Sequence, residues 1–415
     1  MVKSISHVVK RPGRVFGDPD VEIPVAEDLT TTPGIPLREA DVSFFSRVDP
    51  LETQNIEKGA DRDWVWSVYS PEVADYMRGH DERMKPLVDS AEVSANVKLS
   101  GAPREREDLT EDIRRAAREL GFGEVGFTRF DRRYLFECKR SWAKFPHAIC
   151  LAMEQDYDQT QSIPSLEAEH AHFDTYEFES KRGDRLADLI REMGYHAQIH
   201  SPRDPISVMI PMFVAAGLGQ LGANGQLLSP HFGSRARLMM ITTDAPVTYD
   251  KPVDYGIHAF CQKCLICVER CPARALVREK VWWRGAEKNK VIYERCRPVM
   301  AIYDGCGICM KVCPIQKFGM PAVMNHYVQT GEVLGKGTHE LEGYSLHDKG
   351  YFGPGRLPNF ERSLFDIPHG RREDWLFEQF KERLAGDDIP ADGELTEFAR
   401  NVKSAIDKNG ITRDT

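Results

Sequence analysis

The chain has 415 residues, 41% of them hydrophobic, with a formal net charge of −9 and a pI near 5.9. That length holds two or three folded units, and the acidic balance argues against nucleic acid as the main partner, because such binding rests on Lys and Arg neutralising phosphates. No run of about 18 apolar residues spans a bilayer and Met1–Gly17 lacks the apolar stretch of a secretory signal, so a cytoplasmic protein without a membrane partner is expected.

Residues 1–105 are rich in Asp, Glu, Pro and Arg, with scattered aromatics such as Phe44, Phe45, Trp64, Trp66 and Tyr69. They show no sustained period and predict an irregular segment packed over the rest. Asp108 with Glu111 resembles a capping box, and Ile113, Ala116, Ala117 and Leu120 follow at helical spacing until Gly121 stops the helix. Glu124–Thr128 reads as a strand and Ala148–Met153 as a buried one. Leu186, Leu189, Ile190 and Met193 repeat the helical face, with Gly194 at the expected stop. Apolar Val208–Leu218 leads into a glycine-rich turn, Gly219–Gly225, and Leu238–Thr242 reads as another strand. Helices alternating with strands make residues 106–255 an α/β layer domain. A cysteine module covers 256–320. Residues 321–415 form a tail with a loop at Gly350–Gly355 and a helix at Trp375–Leu384.

Eight of the ten cysteines fall between Cys261 and Cys313. Such clustering points to metal ligation rather than to disulfides. The run Cys261-x2-Cys264-x2-Cys267-x3-Cys271-Pro272 is the bacterial ferredoxin signature, in which short steps wrap successive thiolates around one cubane. Cys296-x9-Cys306-x2-Cys309-x3-Cys313-Pro314 repeats it with a longer first step. In two-cluster modules the fourth Cys of each run crosses over to the other cluster. This assigns Cys261, Cys264, Cys267 and Cys313 to one [4Fe–4S] cluster, and Cys271, Cys296, Cys306 and Cys309 to a second. Paired zinc sites are the alternative, but zinc motifs join two Cys-x2–4-Cys knuckles and match a triple run ending in Cys-Pro poorly. Cys138 and Cys150, in apolar or mixed surroundings, read as inert buried thiols.

The segment Gly217–Leu238 (GLGQLGANGQLLSPHFGSRARL), continuing through Thr243-Asp-Ala-Pro to Phe260-Cys261, resembles the reductive dehalogenase family and is similar to the related epoxyqueuosine reductases. The likeness covers roughly residues 106–320, with a weaker match at Asp348–Pro358. It implies an α+β protein in which a nitroreductase-like, corrinoid-binding α/β domain precedes a ferredoxin-like module with two [4Fe–4S] clusters. It further implies cobalamin bound with its lower base displaced, with Gly222, Asn224, Gly225, Ser229, His231 and Gly233 as cofactor-binding candidates. The Asp-x-His-x-x-Gly motif that supplies a cobalt-ligating His elsewhere is absent.

Removing a halide reductively leaves an electron pair on carbon and requires a proton there. A Tyr can supply it if a nearby cation stabilises the phenolate, lowering its pKa from about 10. The resemblance implies Tyr176, placed before the Leu186–Met193 helix, as proton donor and Arg235 as its cationic partner, with Arg237 as the substitute. Residue chemistry alone also allows Tyr176 to be an ordinary half-buried aromatic. Glu177, Phe178 and Glu179 depart from the small and Met residues usual after this Tyr. His170 and His172 read as a solvated loop, Trp282 and Trp283 as core, and Tyr344 and Phe352 as flanking a loop that closes a pocket.

The leading expectation is a cobalamin- and iron–sulfur-dependent reductase that dehalogenates a small, aromatic or alkyl organohalide, fed by an external donor such as a ferredoxin, flavodoxin or reductase. An epoxyqueuosine-reductase-like enzyme and a corrinoid-free electron carrier are the competing readings. The acidic composition and the non-repetitive tail argue against the former.

Overall fold

The computed structural model describes residues 3–14, 18–38, 70–103, 108–136, 139–203, 206–283, 285–361 and 364–365. Trp64, Trp66, Cys138 and the helix expected at Trp375–Leu384 lie outside them.

Residues 1–105 are not irregular throughout. Strands β1 (Ile5–Arg11) and β2 (Val21–Ala26) form an antiparallel hairpin, and helix α1 spans Pro71–Val93. Ser70 caps α1 by accepting the Val73 N–H at 3.3 Å, and Pro71 occupies the first turn, where a missing N–H costs nothing. The inward stripe of α1 runs Val73, Met77, His80, Met84 and Ala91 at helical spacing. Its His and Ala, set among charged neighbours, conceal the period.

Helix α2 (Thr110–Glu119) begins without a capping box. Asp108 accepts the Thr110 N–H at 2.8 Å and the Thr248 hydroxyl at 3.0 Å, while Glu111 pairs with Arg114. Strands β3 (Glu124–Arg129) and β4 (His147–Glu154) follow as expected, then α3 (Tyr157–Gln161), α4 (Leu166–Glu192), β5 (Ala197–His200) and α5 (Ile210–Ala215). The glycine-rich turn is a small hairpin of β6 (Gln220–Leu221) and β7 (Leu227–Leu228), and β8 spans Ala236–Thr243.

A four-stranded antiparallel sheet of order β3-β4-β8-β5 carries this half of the chain. Period-two alternation splits it into two apolar faces. Ile149, Leu151, Met153, Met239 and Ile241 pack under α2 and α4, whereas Ala148, Cys150, Ala152 and Met240 pack with Phe213 and Phe232 on the other side. Burial pushes the Cys150 thiol well above its ordinary range, as suits an unreactive core position.

The cysteine module holds α6 (Ile257–Cys264), α7 (Ile266–Glu269), a hairpin of β9 (Val281–Trp283) and β10 (Ala286–Lys288), α8 (Tyr293–Ile302), α9 (Ile308–Lys311), α10 (Pro314–Phe318) and α11 (Met320–Thr330). Helix α12 (His339–Glu342) and a hairpin of β11 (Tyr344–Leu346) with β12 (Gly350–Phe352) close it. The β1–β2 hairpin belongs to this half: Ile23, Val25 and Leu29 share one core with Met320, Val323, Met324 and Tyr327.

The expected loop at Gly350–Gly355 is thus partly strand, and its hairpin is anchored. Fully buried Arg270 donates to the carbonyls of Glu342, Phe352 and Arg356 and lies over the Tyr344 ring. Tyr344 stacks on Phe352 at 5.8 Å between ring centroids. Three charge-assisted bonds hold the hairpin as a wall rather than a lid.

Candidate active site

Cys261, Cys264, Cys267 and Cys313 line one small cavity, together with Phe260, Pro314 and Ile315 of the module and Ala223, Asn224 and Leu228 of the glycine-rich hairpin. The thiols of Cys271, Cys306 and Cys296 are the foremost electrostatic neighbours of Cys309, ahead of Cys313. The two runs therefore interleave, each fourth Cys lying with the other run's first three. Cys296 sits in the first turns of α8, and the rest of that helix with residues 303–305 accounts for its nine-residue step to Cys306. Backbone N–H groups point at the sulfurs: Ala275 N–H donates to Cys271 Sγ at 3.3 Å. Such bonds favour the thiolate form that a cluster needs. Among the described residues no group of three or more His, Cys, Asp or Glu converges on a single-ion position.

The sheet half meets the module along a tight seam. Gly233, at φ +55°, lies so close that a Cβ would stand 2.6 Å from Gln316 Cα, so only glycine permits the approach. Across the same seam Arg235 donates to the Gln316 carbonyl and pairs with Glu154 at 2.7 Å, its guanidinium 4.8 Å from the Tyr157 ring centroid. Burial pulls the pKa of Arg235 below its ordinary value.

Tyr176 does not precede a helix; it lies in the middle of α4. That helix has 27 residues and starts at Leu166, where Ser165 accepts the Ala168 N–H at 3.2 Å. His170 and His172 belong to it too, not to a loop. Being two apart they diverge: the His170 ring lies 4.0 Å from that of Tyr76, and His172 lies 4.9 Å from that of Tyr176. The structure brings Arg237, not Arg235, to Tyr176, with the guanidinium 5.9 Å from the ring centroid. Arg237 Nη2 also donates to the Ser234 carbonyl at 2.9 Å and lies 3.9 Å from the sulfur of Met310, beside Cys309. Arg235 fails as the partner because it precedes β8 and turns into the Glu154 pair.

Glu179, one turn along α4 from Tyr176, is a residue that sequence reasoning noted only as a departure. It is fully buried, and neither carboxylate oxygen has a hydrogen-bond partner. Ser180 Oγ, Ser234 Oγ, Nε of Arg235 and of Arg237, and both side-chain amide atoms of Gln316 are buried orphans as well. Desolvated polar atoms of this kind cost about 1–3 kcal/mol each unless something completes them.

The cofactor-binding candidates separate. Asn224 faces the cysteine cavity and Gly233 the seam, and Gly222 and Gly225 shape the β6–β7 turn through a 3.0 Å bond between their backbones. Ser229 and His231 turn toward Glu124 instead. The Ser229 hydroxyl donates to Glu124 at 2.8 Å and accepts the backbone N–H of His231 and of Phe232. Burial holds His231 neutral, its pKa down to about 4, so its 3.9 Å approach to Glu124 is not an ion pair at neutral pH.

Burial also pushes the Glu124 carboxyl up to about 7, against the opposing pull of Arg11 and Ser229. With its proton held more tightly when folded than when unfolded, this acid contributes stability that is complete below its ordinary pKa of 4.5 and is lost as pH rises through 7. Thermal melts of Glu124→Gln are expected to lose that decline between about pH 5 and 8, while the parent retains it.

Trp282 lies 3.9 Å under the Arg38 guanidinium and Trp283 is buried, so both pack rather than line the seam. A cavity of about 740 Å³, bordered by Arg129, Arg132, Lys144 and Phe145, opens where β3 ends and β4 begins, the opposite end of the sheet from Glu124 and Glu154.

No family model matches the chain. Among curated proteins, it is 32% identical over 183 residues to a tetrachloroethene reductive dehalogenase of Desulfitobacterium hafniense, covering 41% of this chain and 33% of that protein. An epoxyqueuosine reductase of Lactococcus garvieae is 33% identical over 117 residues, covering 26% of this chain and 32% of that one. The matches to the first curated relatives span a quarter to a third of their length. A reductive dehalogenase structure described as suggesting a mechanism for B12-dependent dehalogenation superposes with a TM-score of 0.59 at 21% identity, over 73% of this chain and 46% of that one. A catabolic reductive dehalogenase in complex with 3-bromo-4-hydroxybenzoic acid superposes with a TM-score of 0.52 at 24% identity, over 60% and 38%. Sequence and fold thus make this chain a relative of the reductive dehalogenases, with epoxyqueuosine reductases as further kin.

Proposed function

We propose that the chain is an iron–sulfur- and corrinoid-dependent reductase that replaces the halogen of a small organohalide by hydrogen, its sheet half being a nitroreductase-like corrinoid-binding domain and its cysteine module carrying two [4Fe–4S] clusters. The observation that carries this reading is the placement of Tyr176 and Arg237 together at the seam, beside Met310 and the second cysteine run. The orphaned Ser234, Arg235, Arg237 and Gln316 atoms suit a macrocycle fringed with amides, which would give each a partner. When bound, the corrinoid supplies a low-valent metal centre that accepts electrons from the clusters and engages the carbon–halogen bond.

The chain's own residues do the rest. Two electrons, delivered singly by an external donor protein, pass through the cysteine module. The Tyr176 phenol gives its proton to the carbon that loses halide, and Arg237 stabilises the phenolate left behind. The overall balance is R–X plus two electrons plus one proton giving R–H plus X⁻. The bound 3-bromo-4-hydroxybenzoic acid of the related structure makes halophenols the first substrates to try. Protein loaded anaerobically with iron, sulfide and cobalamin is expected to bind about one cobalt per chain and to release halide from a halophenol panel under a chemical reductant. An iron-loaded protein that takes up no cobalt, or releases no halide, overturns the proposal.

A further inference from the structure

The α4 stripe that carries Tyr176 continues inward to Glu179 and Ser180, three and four residues on, and then to Gly183, whose hydrogen faces the Met239 side chain of β8. Arg237 and Met239 share that face of β8, because strand side chains alternate. Arg237 therefore stands against both Tyr176 and Glu179. Tyr176 and Arg182 lie three residues to either side of Glu179 along α4, and Arg237 of β8 acts on its carboxyl. Arg182 is directed to the Met153 sulfur of β4, 3.4 Å away, and among the described residues Arg237 is the one charge acting on the Glu179 carboxyl.

A carboxylate buried with no hydrogen bond would carry a desolvation cost that one arginine without direct contact does not offset. The neutral acid lowers that cost. Accordingly, burial pushes the Glu179 carboxyl well above its ordinary range, with Arg237 pulling the other way.

We propose that Glu179 rests as a neutral carboxylic acid and acts as the internal proton source that restores Tyr176 after each turnover, with Arg237 holding the negative charge as it moves between them. The inference rests on the dehalogenase reading and deepens it. In the step, the carbon–halogen bond breaks with loss of halide, and the Tyr176 O–H breaks as a C–H bond forms at that carbon. Neither Glu179 oxygen is hydrogen-bonded to Tyr176, so the phenolate then takes the carboxyl proton through one bridging water, leaving a carboxylate beside Arg237 that recovers a proton from solvent once product has left. The two electrons come from the external one-electron donor already invoked. Glu179 touches no reacting atom, so its role is to position and resupply.

Two measurements test this. Infrared difference spectra between the parent and Glu179→Gln, taken on the protein without turnover at neutral pH, are expected to show the carbonyl stretch of a protonated carboxylic acid belonging to Glu179. In pre-steady-state assays Glu179→Gln is expected to release about one halide per site at the parent's rate, because Tyr176 begins protonated, and then to slow by about tenfold or more. Glu179→Asp should recover part of the steady rate. A structural role alone would depress the first turnover as much as the later ones. Dehalogenation without the infrared band, or without the change from first to later turnovers, overturns the inference on Glu179 alone. The band without any dehalogenation by the parent overturns the functional reading and, with it, the resupply role.

Discussion

Replacing Cys267 by Ser is expected to lower iron and acid-labile sulfide from about eight to about four of each per chain. Replacing Cys313, 46 positions later in the chain, should give the same loss and the same residual spectrum. The interleaving requires this, because Cys313 borders the cavity that Cys261, Cys264 and Cys267 line. Cys309→Ser should remove the other cluster, with a different electron paramagnetic resonance signal lost on reduction. If Cys313→Ser instead resembled Cys309→Ser, each run would hold its own cluster and the seam at Gln316 would sit beside the wrong one. Zinc in place of iron would remove the redox reading altogether, since zinc neither stores nor passes electrons.

Tyr176→Phe is expected to lower halide release by about 10²–10⁴-fold while iron content, corrinoid content and visible spectra stay those of the parent. The two arginines should then separate. Arg237→Gln removes the cation beside the phenol and is expected to slow turnover with the fold intact. Arg235→Gln takes one of two arginines from Glu154, which keeps its pair with Arg14, and removes the bond to the Gln316 carbonyl across the seam, so it should show first as a lower melting temperature. Equal turnover for Tyr176→Phe and the parent would dismiss the site assignment.

The convergence of the eight cysteines was legible because their spacing is local and is the spacing by which thiolates would reach a cubane. The central strands were legible for a similar reason: β4 and β8 bury both faces, so continuous apolar runs mark them. The front half of α4 was not. Its buried positions mix Ala168, Ala171 and Phe173 with Glu169, Thr175, Glu179 and Ser180, so hydrophobic periodicity fails where the candidate site lies. The choice between Arg235 and Arg237 was hidden for a different reason. Both have the same parity, and only the bend into the Glu154 pair before β8 begins sends the first away. The β1–β2 hairpin escaped notice because its burial comes from residues far along the chain.

That last distance bears on how the protein is made. Tyr327 donates to Asp28, 299 positions earlier in the chain, at the place where α11 covers the β1–β2 hairpin. A ribosome adding about 5–20 residues per second needs roughly 15–60 s to reach the covering helix after the hairpin has emerged. Until then Ile23, Val25 and Leu29 have only part of their cover, from the segment around Tyr255, Ile257 and Phe260. The cysteine pocket is therefore expected to consolidate fully only once α11 has joined the core it shares with the hairpin.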